Sequence, residues 1–169
     1  IAVTGTNGKS SIADFYYQIL NFNNKNVASI GTLGVRSKNL KINLSNTTID
    51  PIKLGKILVK LKKKKVNYVI MEASSHGLKQ NRIDGLFFDT AIFTNFSQDH
   101  LDYHKNLQNY LKAKLYLFEN LVKKRGNVIS DEEIPEFKKI KKIASDKNLN
   151  LYSLYDKKNE FQILSHEFQ

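Results

Sequence analysis

Ile1-Ala-Val-Thr-Gly-Thr-Asn-Gly-Lys-Ser10 opens the chain as a short apolar run that breaks into a glycine-rich turn and then into helical spacing. Gly5 and Gly8 let a backbone turn tightly and bring N–H groups to an anion at the positive end of the next helix. Lys9 is placed to reach β- and γ-phosphate oxygens, and the Ser10 hydroxyl to ligate Mg²⁺. The spacing is a shortened one, G-x-x-G-K-S, because the usual loop carries a further glycine where Val3 stands. An ordinary strand-to-helix turn is the plain alternative. Lys and Ser directly after the second glycine favour the phosphate loop.

Two more segments carry chemistry at the ends of apolar runs. Val66 to Met71 stops on Glu72, where a nucleotide-handling sheet places the acid that binds Mg²⁺, directly or through water. A solvated strand-end carboxylate is the bland reading. Ser74-Ser75-His76-Gly77 follows as a tight turn suited to a second substrate. Phe87 to Thr94 stops on Asn95 and leads into Asn95-Phe-Ser-Gln-Asp-His100-Leu-Asp-Tyr-His104, with two His and two Asp in ten residues. That density points to metal or phosphate work, and the oxygen-rich surroundings favour Mg²⁺ over zinc. Lys114 falls inside the apolar stripe Leu107, Leu111, Phe118 and Leu121, whereas Lys112 points the other way. Burial disfavours the ammonium form, so Lys114 either persists as a neutral amine or snorkels to water. A neutral amine can take up CO₂ as a carbamate and become an anionic oxygen ligand.

The elements that must position these residues follow from periodicity. Helical spacing covers 11–22, turn residues end it, and Val27 to Ile30 is a strand. Residues 31–46 are irregular, with alternation at Leu40, Ile42 and Leu44 suggesting an edge hairpin. Asp50-Pro51 starts a helix to about Lys64, Asp as cap and Pro at the first position. A long helix is expected over 106–124, then a strand over 127–130, a helix over 133–147 and a strand near 149–155. Alternating strands and helices predict an α/β fold with a mostly parallel, doubly wound sheet. Its ligands gather at the strands' carboxyl ends.

Composition sets outer limits. The 169 residues, 41% hydrophobic and 25% charged, support one globular domain with its own core. Without cysteine there is no disulfide framework or thiolate metal site. No run reaches membrane-spanning length and no leader segment precedes the first strand, so a cytoplasmic location is expected. The net charge of +11 invites a nucleic-acid reading. Arginine occurs only at Arg36, Arg82 and Arg125, however, and the lysines are scattered over helix faces; the charge is read as a solvated surface, with no nucleic-acid partner. Because Ile1 lies inside a strand that feeds the loop, the chain is expected to be an excised piece of a longer protein.

The segments Thr4-Gly-Thr-Asn-Gly-Lys-Ser-Ser11, Asn46-Thr-Thr48, Met71 to Arg82, Phe93 to His104 and Tyr110-Leu-Lys-Ala-Lys114 together resemble the central ATPase domain of the Mur ligases. They come in the family's order and cover most of 1–118; beyond Phe118 the likeness is architectural. The loop is shared with folylpolyglutamate synthetases, whereas Glu-Ala-Ser-Ser-His-Gly and Asp-His-Leu-Asp-Tyr-His resemble the branch that adds the third residue of the peptidoglycan stem peptide. Ser10-Ser11 stands in place of the commoner Thr-Thr, and Ile49 in place of Pro or Gly.

The resemblance implies an ATP- and Mg²⁺-dependent amide ligase joining diaminopimelate or lysine to UDP-N-acetylmuramoyl-L-Ala-D-Glu through an acyl phosphate. It implies ATP contacts at Gly5, Thr6, Asn7, Gly8, Lys9, Ser10, Ser11 and Asn95. Metal ligands would be Ser10, Glu72, His100 and a carbamylated Lys114, with Lys9, Lys114 and His100 catalytic. The UDP-sugar-peptide would meet Asn46, Thr47, Thr48, Ser74, Gln80 and Arg82. Residues 1–169 would be the central domain of a monomeric enzyme without a membrane partner. The N-terminal uridine-binding and C-terminal amino-acid-binding domains would lie outside this chain, leaving the fragment alone inactive. Another Mur ligase or a folylpolyglutamate synthetase-like ligase is the alternative.

Overall fold

The computed structural model describes residues 1–155, so the part of the expected 1–169 domain beyond Tyr155 lies outside the described residues. The chain runs β1 (Ala2–Thr4), α1 (Lys9–Phe22), β2 (Val27–Gly31), β3 (Gly34–Ser37), β4 (Leu40–Ile42), α2 (Pro51–Lys63) and β5 (Tyr68–Glu72). It continues through α3 (Ser75–Lys79), β6 (Phe88–Phe93), α4 (Leu101–His104), α5 (Leu107–Tyr116), β7 (Val122–Ser130), α6 (Phe137–Asp146) and β8 (Asn150–Ser153).

The strands form one eight-stranded sheet in the order β4-β3-β2-β5-β1-β6-β7-β8. From β2 to β8 every neighbouring pair is parallel; β3 and β4 form the antiparallel edge hairpin that the alternation at Leu40 and Ile42 foretold. Alternation along the central strands builds two cores. Val3 and Ile70 pack with Ala13, Ile12 and Tyr16 of α1 on one face. Ala2, Met71 and Ala91 turn to the other face, against Leu54, Ile57 and Leu61 of α2 and Leu111 and Leu115 of α5. Helices thus cover both faces, as the doubly wound reading requires.

The start of α2 is chemically plain. Asp50 accepts the Lys53 N–H at 2.9 Å, and Pro51 occupies the first turn without losing a needed donor.

Three expectations on boundaries are corrected. The helix expected over 106–124 ends at Tyr116, passes through a π-helical turn at Leu117–Leu121, and gives way to β7. Local propensity favours helix through the lysines, but Val122 pairs with Phe88 on β6 and Lys123 with Asp89 at 2.7 Å, so tertiary pairing wins. The helix expected from 133 begins at Phe137, because Pro135 disfavours helical backbone at the residue before it. Ser74 to Gly77, expected as a tight turn, open the short helix α3 (Ser75–Lys79), with the Ser74 hydroxyl accepting the Gly77 N–H at 3.1 Å as its cap.

Candidate functional site

β1 sits at the centre of the sheet with β5 on one side and β6 on the other, so the strand order reverses there. The carboxyl ends of these three strands open a crevice, the place where such sheets bind ligands. A cleft of about 270 Å³ lies there, lined among others by Lys9, Ser10, Thr32, Glu72, His100 and Lys114. A larger hollow of about 490 Å³ lies around Ile1, Tyr16, Leu58, Tyr68 and Phe87. Among the described residues Asp89 is the one charged side chain of that lining, and no group of reactive side chains comes together there.

The loop's shape is enforced by its neighbour. Thr6 N–H donates to Asn95 O at 2.9 Å, Asn7 N–H to Asn95 Oδ1 at 2.9 Å, and Thr94 Oγ1 to Asn7 O at 2.6 Å. Gly5 takes a φ of +142°, and a Cβ there would overlap Thr94 Oγ1, so only glycine fits. Gly8, at φ +81°, hands the chain to α1, whose first residues are Lys9 and Ser10. Lys9 Nζ donates to Gly5 O and Thr6 O at 2.9 and 2.8 Å. Burial lowers its pKa, while Glu72 and Asp99 pull it back up.

Glu72 is 2% exposed, so the solvated strand-end reading is excluded. Its Oε2 accepts the Ser10 hydroxyl at 2.9 Å. The Thr32 N–H donates to Oε1 at 2.9 Å, and the Thr32 hydroxyl to Oε2 at 3.2 Å. Gly31 makes the space, since a Cβ there would overlap the carboxylate. Sequence reasoning missed Thr32; its place one residue past a strand, at the same sheet edge as the loop, was the available signal.

Lys114 is 1% exposed and does not snorkel. Its Nζ donates to Gly5 O at 2.6 Å and sits 4.3 Å from the centre of the Tyr110 ring. Burial first, and the positive charge of Lys9 second, pull its pKa down from 10.5 to about 7. A substantial share of the amine is therefore unprotonated at neutral pH. Tyr110 was not foreseen as part of the site.

The other expected residues divide by what they touch. Thr47, Ser74, Ser11 and His100 line the cleft. Thr48 is buried: its hydroxyl donates to Glu72 O at 3.0 Å and accepts the Ser74 N–H at 2.9 Å, and its carbonyl accepts from Arg82 Nη1 at 2.7 Å. Thr48, itself held by Arg82, thereby braces the backbone on either side of Ala73, directly after Glu72. Gln80 bonds the Tyr103 hydroxyl at 2.9 Å outside the cleft lining, and Asn46 is exposed beside Ser45. Asn95 shapes the loop from behind. Among the described residues no three His, Asp or Glu side chains converge as a preformed metal cage. One carboxylate and one hydroxyl beside a phosphate loop are instead the donors that Mg²⁺ takes when substrate phosphates complete its shell. The residues present fit that ion.

His76 of α3 clusters with His100, Tyr103 and His104, edge to face with His100 and His104 and tilted against Tyr103, its ring centre 4.8 Å from that of His100. His104 is buried, its Nε2 3.0 Å from Ser75 Oγ. Burial, then the neighbouring imidazoles and Lys114, push its pKa down to about 4. The unfolded chain, with His near 6.5, takes up a proton first as pH falls, so stability drops between about pH 6.5 and 4. Chemical denaturation at pH 7 and 4.5 should show the native protein losing on the order of 2 kcal/mol more than a His104→Gln variant. Equal losses would remove His104 from the acid response.

Residues 3–168 match the Mur ligase middle domain. The chain belongs to this family. It is 47% identical over 145 residues to a UDP-N-acetylmuramoyl-L-alanyl-D-glutamate–2,6-diaminopimelate ligase of Rickettsia bellii, covering 83% of this chain and 31% of that protein. A ligase of the same name from Anaplasma marginale is 39% identical over 154 residues, covering 90% and 33%. A solved structure of a ligase with that name superposes with a TM-score of 0.82 at 30% identity, over 97% of this chain and 34% of that one. Mycobacterium tuberculosis folylpolyglutamate synthase complexed with ADP shares the fold, with a TM-score of 0.60 at 12% identity, over 90% and 41%. The chain thus spans about a third of the length of the ligases it resembles. Among the described residues no helix is long and apolar enough to cross a membrane.

Proposed function

We propose that this Mur ligase middle domain is the ATP-handling part of a cytoplasmic ligase. That enzyme adds 2,6-diaminopimelate to UDP-N-acetylmuramoyl-L-Ala-D-Glu. The observation that carries the reading is the contact of the Ser10 hydroxyl with the buried Glu72 carboxylate at 2.9 Å, in one cleft with Lys9 and Lys114. Diaminopimelate is preferred to lysine because the relatives at 39–47% identity carry it in their names. Uridine-binding and amino-acid-binding domains outside residues 1–169 complete the enzyme in this reading.

ATP's phosphates lie on the loop amides of Gly5 to Ser11, with Lys9 leaving Gly5 O and Thr6 O to meet β- and γ-phosphate oxygens. Ser10, Glu72, His100 and a carbamylated Lys114 would hold Mg²⁺, which when bound would neutralise the charge that develops on the phosphoryl group. The D-Glu side of the acceptor lies along Thr47 and Ser74, its carboxylate oxygen in line with the γ-phosphorus. That oxygen bonds to phosphorus as the bond to ADP breaks. The amine of the incoming amino acid then attacks the acyl carbon, phosphate leaves, and one proton is lost as the amide forms. Water must be kept from the acyl phosphate throughout.

The test is phosphate release by the full-length gene product with Mg·ATP and the UDP-linked dipeptide, adding diaminopimelate or lysine separately. Release with diaminopimelate alone supports the reading. Release with lysine alone changes the amino acid. Release with neither, from a folded protein that binds ATP, moves the chain to another ligase of this ATPase type.

A further inference from the structure

Thr32 has no part in the phosphate loop, the metal ligands or the acceptor contacts assigned above, yet it touches both the metal side and the acceptor side of the cleft. β2 ends at Gly31, whose lack of a side chain admits the Glu72 carboxylate, and Thr32 is the next residue. Its N–H is committed to Glu72 Oε1 at 2.9 Å. Its hydroxyl stands 3.2 Å from Glu72 Oε2 and 2.9 Å from Thr47 Oγ1, and either hydroxyl can donate in the second pair.

A hydroxyl has one proton and two lone pairs. Facing a carboxylate of full negative charge, the Thr32 proton is drawn to Glu72, because a bond to an ionised acceptor is the stronger one. Thr32 can then only accept from Thr47, which ties up the Thr47 proton and leaves Thr47 presenting lone pairs to the cleft. When a cation takes up the charge of Glu72, that pull weakens and the Thr32 proton is available to Thr47. The Thr47 proton is then released toward the cleft as a donor for an acceptor oxygen.

We propose that Thr32 is a positioning residue linking Glu72 to Thr47, so that divalent cation and the UDP-linked acceptor strengthen one another's binding. The proposal rests on the ligase reading above for the identity of the acceptor. It assigns Thr32 no contact with the reacting atoms. Linkage makes the effect reciprocal: whatever factor the cation adds to acceptor affinity, the acceptor adds to cation affinity. One neutral hydrogen bond exchanged sets the size at about five- to tenfold.

The experiment uses the full-length protein with Mn²⁺ and a non-hydrolysable ATP analogue, and no amino acid, so that nothing turns over. Mn²⁺ affinity is read by electron paramagnetic resonance with and without UDP-N-acetylmuramoyl-L-Ala-D-Glu. In the native protein the dipeptide should tighten Mn²⁺ about five- to tenfold. Thr32→Ser, which keeps the hydroxyl, should retain that factor; Thr32→Val, which keeps size and the N–H, should bring it below about twofold, as should Thr47→Val from the other end of the link. A native protein that binds the dipeptide without tightening Mn²⁺ overturns the inference and leaves the ligase reading standing, and needs no variant. Full coupling in folded Thr32→Val also overturns it. No dipeptide binding by the native protein overturns the ligase reading, and this inference with it.

Discussion

Replacing Lys114 by alanine in the full-length enzyme is expected to lower kcat by on the order of 10²- to 10³-fold, the loss typical of one removed transition-state electrostatic group. Acetate or propionate is expected to restore part of the rate. A solvated lysine would show neither effect. Lys114 is 1% exposed, and its pKa near 7 gives an amine that is partly neutral where the enzyme works. The neutral nitrogen can attack CO₂: an N–C bond forms, a proton leaves the nitrogen, and a cation becomes a carboxylate-like anion.

That anion would project into the cleft that already holds Glu72 and Ser10. Alanine leaves a space of the side chain's own shape, open to a small free carboxylate. The loop itself should survive the change, because its bonds to Thr94 and Asn95 involve neither lysine. Lys114→Met serves as the control: it fills the space with apolar atoms, so activity should fall without rescue. Native rates in folded Lys114→Ala, or a loss that carboxylates leave untouched, would discard the carbamate.

How much of this was legible beforehand depended on whether local pattern or distant pairing decides the outcome. Gly5, Gly8, Lys9 and Ser10 announce themselves because loop chemistry needs those residue types in immediate succession. Lys114 stood out because a cation interrupting an apolar stripe breaks helical periodicity, and Glu72 because it ends an apolar strand. The parallel sheet followed from alternating elements. What stayed hidden was set by partners far away in sequence. Nothing local shows that Thr32 N–H meets a carboxylate forty residues on, or that Val122 pairs with Phe88 and stops a helix the lysines would extend. Thr48 illustrates the same limit. Its type suits a substrate contact, yet its buried hydroxyl is committed to backbone groups at Glu72 and Ser74.

Glu72→Gln should cost as much as the loss of Lys114, on the order of 10²- to 10³-fold in kcat, and should raise the Mg²⁺ concentration needed for half-maximal rate. The substitution is chosen because the surroundings can accept it. Its amide oxygen can take the place of Oε1 and keep the Thr32 N–H satisfied. Its NH₂ then faces the Ser10 and Thr32 hydroxyls, which rotate to accept where they had donated. Packing and hydrogen-bond count are preserved, so the melting temperature should move by no more than about 4 °C, the scale of a 1 kcal/mol change. What is lost is the full negative charge, and with it the ligand strength that a hard divalent cation requires. A folded Gln variant with native rate and native Mg²⁺ dependence would show that Glu72 holds the loop in shape through Ser10 and Thr32 and does nothing for the metal.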